Sequence, residues 1–141
     1  MRPFLKLIAA ITVATSAFLP AALVNAADGA RHTPASDMKA QHHTMKTIGR
    51  EWRKIGKALE NKDAAAGVKA TDTILRVAPN IEKFMPHRNP DKRDRFMDYY
   101  GMFLRQLIEF RTALAQGNIV GASAISGEAE KTCGRCHALF R

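Results

Sequence analysis

DMKAQHHTMKTIGREWRKIGKALE, residues 37–60, repeats its large side chains every seven positions. Met38, Met45, Trp52 and Leu59 form one series, and Gln41, Ile48 and Ile55 fall between them at a second seam position. Alternating steps of three and four put both series on one side of an α-helix, with one polar member, Gln41, in the stripe. The stretch therefore predicts a helix from Asp37 to Glu60 whose apolar face needs a partner.

The same period runs through the chain beyond it. Asn61 and Asp63 can each cap a second helix, in which Val68, Ile74, Leu75 and Ala78 face inward. Pro79 kinks or interrupts that helix, and Ile81, Phe84 and Met85 resume apolar contact. After the loop Pro86-His87-Arg88-Asn89, Asn89 stands as the N-cap of a third helix. Pro90 takes its first position, and Asp91 and Asp94 lie near the positive end of its dipole. Phe96, Phe103 and Phe110 make one heptad series, Tyr100, Leu107 and Leu114 the other, and Gly117 stops the helix. A fourth helix runs from Asn118 to the end, with Ile119, Ala122, Ala129, Cys133, Cys136 and Phe140 near one face. Its small residues, Gly121 to Ala124, Ser126 and Gly127, serve close packing or leave room for a flat ligand. No run alternates with period two long enough for a sheet. The fold class is all-α, an antiparallel four-helix bundle, which amphipathic helices with short connections most directly build.

Ahead of these helices, residues 1–26 read as a secretory signal. Arg2 and Lys6 precede a mainly apolar stretch from Leu7 to Val24, and Val24-Asn25-Ala26 offers a cleavage site before Ala27. Pro20 and the hydroxyl residues break the stretch, and no basic stop-transfer cluster follows at once. Cleavage is expected, leaving no membrane span. Residues 27–36 form a polar, breaker-rich, flexible lead-in, and residues 37–141 form one domain. The expected location is the periplasm. Loss of Arg2 and Lys6 lowers the net charge from +9 to +7. The bases are scattered, with no run longer than two, which in an exported protein argues against nucleic acid. They suit solvated helix faces or steering toward acidic protein partners.

Cys133-Gly134-Arg135-Cys136-His137 is a C-x-x-C-H run, the attachment sequence of a c-type haem. Two thiols that add to the two vinyl groups of one porphyrin must lie close together and point the same way. On a helix, positions three apart share a face, and His137, four beyond Cys133, shares it too and can reach the iron. The run predicts one covalent haem c with His137 as an axial ligand. A redox dithiol is the plainer alternative, but such motifs sit where a strand enters a helix, and nothing upstream of Cys133 is strand-like. Half of a zinc site is another; with only two cysteines in the chain, histidines would have to complete its four ligands.

From Met38 to Arg141 the chain resembles the cytochrome c′ family. The resemblance rests on the C-x-x-C-H run followed by Ala138-Leu139-Phe140-Arg141, where relatives have an aromatic residue and then an arginine, and on Met45-Lys46-Thr47-Ile48-Gly49. It implies a four-helix bundle with one covalent haem near the end of the last helix, and it sets Met45 over the opposite haem face. In the high-spin branch of the family an apolar residue there leaves iron five-coordinate and open to gases. In the low-spin branch a methionine ligates the iron. Met45 thus implies His/Met ligation, which raises the reduction potential relative to two histidines. Read without the family, Met45 is a core methionine, as Met38, Met85, Met97 and Met102 are. His42, one turn before it, competes as sixth ligand; His43 is expected in solvent, and His32 and His87 have no evident role.

Gln41 departs from the family pattern. Many relatives carry an arginine there near the haem propionates, and an amide hydrogen-bonds a propionate without pairing its charge. Arg141 matches the family arginine and is a candidate to pack near the haem, although it carries its own carboxylate here. Trp52 and the aromatics of the third helix are core, or line the haem cavity. The resemblance implies a non-enzymatic electron carrier; no carboxylate pair, nucleophile–base set or phosphate loop with supporting context is present. A five-coordinate cytochrome c′ binding nitric oxide or carbon monoxide is the alternative, and a haem-free dithiol or metal-binding bundle the next. Redox proteins with acidic surfaces are the expected partners. The family also implies a homodimer through the first two helices, against which Arg50, Arg53, Lys54 and Lys57 speak, since they disfavour a large apolar interface.

Overall fold

The computed structural model describes residues 35–141. The expected signal segment, residues 1–26, and the expected lead-in as far as residue 34 lie outside the described residues. Four α-helices, α1 (Ala35–Glu60), α2 (Ala64–Val77), α3 (Arg93–Ala115) and α4 (Ile119–Phe140), are joined by short turns and two 3₁₀ segments, Ala78–Lys83 and Pro90–Lys92. The described residues contain no strand. The helices pack α1 on α2, α2 on α3 and α3 on α4, with α1 also touching α4. None of the described helices is long and apolar enough to cross a membrane.

Local chemistry explains the boundaries. Of the two candidate caps for α2, Asp63 serves: its carboxylate accepts from the Ala66 amide at 2.9 Å, while Lys62 turns the chain at φ 56°. Asn118 caps α4 in the same way, accepting from the Gly121 amide at 2.9 Å. Gly117, at φ +70°, takes the left-handed turn that ends α3, a conformation that disfavours side chains with a Cβ.

Pro79 interrupts α2 as expected: the helix ends at Val77, and Pro79 stands in the first turn of the 3₁₀ segment Ala78–Lys83, where a proline is tolerated because its missing N–H is not needed. One expected boundary shifts. Asn89 does not cap α3. It sits at φ 52°, ψ 51° with no side-chain capping bond, Pro90 opens a 3₁₀ turn, and α3 proper begins at Arg93. Its amide is engaged elsewhere. At the other end, α1 begins at Ala35, two residues inside the expected lead-in.

The heptads carry the core. All six predicted residues of α3 are buried: Phe96, Phe103, Phe110, Tyr100, Leu107 and Leu114. On α1 the deeper series is Gln41–Ile48–Ile55, at 8%, 6% and 0% exposure, whereas Met45, Trp52 and Leu59 are part-buried against the core. Each large apolar side chain fully withdrawn from water contributes about 1.5–3 kcal/mol. Gly67 is buried where a Cβ would stand 2.6 Å from Leu114 Cδ1, so a glycine lets α2 and α3 approach closely.

Candidate haem-attachment site

The last two turns of α4 carry the C-x-x-C-H run on a continuous helix. Cys133 and Cys136 are free thiols, part-buried against the common core. Thr132 and Phe140, on either side of the run, are buried. Burial pushes the Cys133 thiol up to about 11, with smaller pushes from Cys136 and Glu130, and burial raises Cys136 as well. His137 is exposed. Partial burial and then Arg141 hold its imidazole below the usual histidine range, favouring the neutral, ligating form. Among the described residues no group of three or more His, Cys, Asp or Glu is placed to hold a bare metal ion.

On α1, Met45 is part-buried against the same core that Cys133, Cys136 and Leu139 border. One turn earlier Gln41 is buried, and its Oε1 has no hydrogen-bond partner. An orphaned buried amide oxygen costs about 1–3 kcal/mol. A half-turn of the amide would present Nε2 there as a donor to an anionic oxygen. A c-type haem fits this donor set: two unpaired thiols one helical turn apart, a neutral imidazole beside them, and, on α1, a thioether and an unsatisfied amide.

Trp52 links the same two helices. Its indole N–H donates to Glu130 at 3.1 Å, and its ring tilts against Phe103 at 6.2 Å. It is therefore a packing residue with a polar tie to α4, three positions before Cys133. Arg141 closes the helix: its amide donates to the His137 carbonyl at 3.1 Å, and its side chain is exposed. The His137 and Arg141 side chains are exposed, and neither borders the core that Met45, Cys133 and Cys136 flank.

The segment His87-Arg88-Asn89 enters this site although the sequence had assigned it no part in it. The Asn89 side-chain amide donates to the Leu139 carbonyl at 2.6 Å, and the Arg88 amide donates to the Phe140 carbonyl at 3.3 Å. The His87 ring stacks on His42 of α1, centroids 5.4 Å apart and planes 28° apart. An asparagine before a proline marks a turn and tolerates the left-handed region, the one local signal available; its long-range partner leaves no mark in the sequence.

A separate groove of about 430 Å³ lies between α1 and α2, lined by Glu51, Lys54, Lys57, Lys69 and Thr73 among others and by no residue of α4. Glu51 within it is buried, and hydrogen bonds from Lys54 and Arg50 hold its carboxyl below the usual carboxylate range. No protein-family model matches this chain, and no curated protein matches it.

Proposed function

We propose that this chain is an exported mono-haem cytochrome of the low-spin cytochrome c′ type, an antiparallel four-helix bundle that passes single electrons through a His137/Met45-ligated iron. The observation that carries this reading is the C-x-x-C-H run in the last turns of α4, its two thiols unpaired and set against the core that Met45 borders from α1. The short connections at Asn61–Asp63 and Gln116–Asn118 suit helices that alternate in direction.

Haem bound here would supply a one-electron couple, and the chain's residues would tune and shelter it. Cys133 and Cys136 would anchor it. His137, already inclined to the neutral form, offers a lone pair without first losing a proton. Met45 offers a soft sulfur on a rigid helix, Gln41 an amide for a propionate, and Arg141 a nearby positive charge. Held on two packed helices, both ligands would move little between oxidation states. The positive surface would steer acidic redox partners toward the protein.

The test is mass and absorption of protein expressed with haem-attachment machinery. One covalent haem per chain and low-spin, six-coordinate spectra in both oxidation states are expected. Met45→Ala should convert the ferrous protein to a high-spin form that binds carbon monoxide readily. A wild-type spectrum that is already five-coordinate replaces the carrier by a gas-binding protein, and a mass without haem removes both readings.

A further inference from the structure

The 86–89 loop touches both halves of the proposed site at once. On the α4 side, Asn89 Nδ2 and the Arg88 amide serve the carbonyls of Leu139 and Phe140, and Arg88 Nη1 reaches the main-chain oxygen of Arg141 at 3.5 Å. Leu139 and Phe140 belong to the last turn of α4, whose carbonyls have no partner within their own helix, and Arg141 follows it. They lie two to four residues beyond His137. Phe140 is buried there, edge-on to Phe96 at 5.5 Å and Tyr99 at 6.4 Å, so this turn is also packed from α3. On the α1 side, His87 stacks on His42, three residues before Met45 and next to Gln41. Asn89 stands in the left-handed region, which aims its side chain back at α4 and forgoes capping α3.

We infer that Asn89 is a positioning residue: with His87 and Arg88 it forms a clasp that fixes the end of the C-x-x-C-H helix relative to the Met45 turn of α1. The inference rests on the haem reading for its consequence but not for its existence. A clasp across these two segments sets how firmly a sulfur on one helix can stay opposite an imidazole on the other. Loosening it should free Met45 more often without unfolding the protein.

Asn89→Gly keeps the left-handed turn and deletes the donor; His87→Ala deletes the stack. Arg111→Met serves as the control, because it breaks the Asp72–Arg111 pair between α2 and α3, remote from both segments. Hydrogen exchange of the full chain comes first and needs no haem. Asn89→Gly should speed exchange at least threefold in residues 137–141 and also in residues 41–45, while Arg111→Met changes neither. A response confined to residues 137–141 overturns the clasp, because the two segments are then uncoupled. In the holoprotein, carbon monoxide binding to ferrous iron should accelerate several-fold in Asn89→Gly and His87→Ala and not in Arg111→Met. Equal acceleration in the control would show general loosening, and no acceleration in a holoprotein whose ferrous spectrum is six-coordinate would also sink the proposal; a five-coordinate spectrum fails the Met45 ligation alone. A mass without haem fails the cytochrome reading alone and leaves the exchange result to decide the clasp.

Discussion

Cys133 shows what a single environment does to a reactive group. Most of its side chain is withdrawn from water, and that burial pushes its thiol up to about 11 from an ordinary value near 9. In the chain made without haem, this leaves on the order of a hundredfold less thiolate at neutral pH than an ordinary cysteine. Alkylation by iodoacetamide at pH 8 should be slower than that of a model thiol by about that factor. A rate equal to the model thiol would show that the site is open. The sign for stability follows. A thiol whose folded value is raised favours folding below pH 9, and the contribution is lost as pH rises toward 11. The haem-free chain should therefore lose stability across that window, read by denaturant titration, and Cys133→Ala should flatten the loss. Burial that protects the thiol against stray oxidation also makes it a slow nucleophile, so attachment at this position would depend on a partner or on a less folded chain.

At the scale of elements, caps and close approaches decide more than propensity does. Asn118→Ala removes the acceptor for the Gly121 amide and should cost about 1 kcal/mol. Gly67→Ala drives a methyl into Leu114, itself buried at 2% exposure, and should cost about 1–3 kcal/mol. Urea midpoints check both; a neutral Gly67→Ala would mean that the Leu114 side chain turns aside at no cost. The same elements show what the sequence disclosed. Both heptad series of α3 are buried as read, because in a helix packed on neighbours the apolar period and the buried face are one property. The cysteine run was legible because its signal is a fixed local spacing, and the structure sets both thiols part-buried on one continuous helix. Asn89 was misread as a cap because the local preference of an asparagine before a proline loses to a carbonyl fifty residues away in the chain. Gln41 was read as a polar intruder in a seam, and the structure buries it without a partner for its oxygen. Spacing sets Met45 and His42 on one side of α1 but says nothing of what each meets on another element. The structure engages His42 with His87 and leaves Met45 against the core.

For the molecule as a whole, the excess of basic over acidic residues sets how it meets other charges. Oxidation of the reduced holoprotein by an anionic complex such as hexacyanoferrate should slow as salt rises from 10 to 200 mM, and oxidation by a cationic cobalt complex should quicken. Salt-independent rates for both would show that the charge is spread too evenly to steer. Much of the exposed pairing contributes little to folding. Lys131–Glu128 is a surface pair, and such pairs are worth roughly 0–1 kcal/mol. Stability rests instead on side chains such as Ile55, Ile74, Leu107 and Phe110, and Leu107→Ala should cost about 2–5 kcal/mol.

Trp52 is the single tryptophan of the chain, held between Phe103 and Glu130 where α1 meets α4. The protein thus contains its own optical gauge. A porphyrin attached at Cys133 and Cys136 would absorb the energy of the excited indole, so the folded holoprotein should be nearly dark at 340 nm and brighten on unfolding. The haem-free chain should glow when folded. One fluorimeter trace would then report occupancy and folding from the same ring, with no label added.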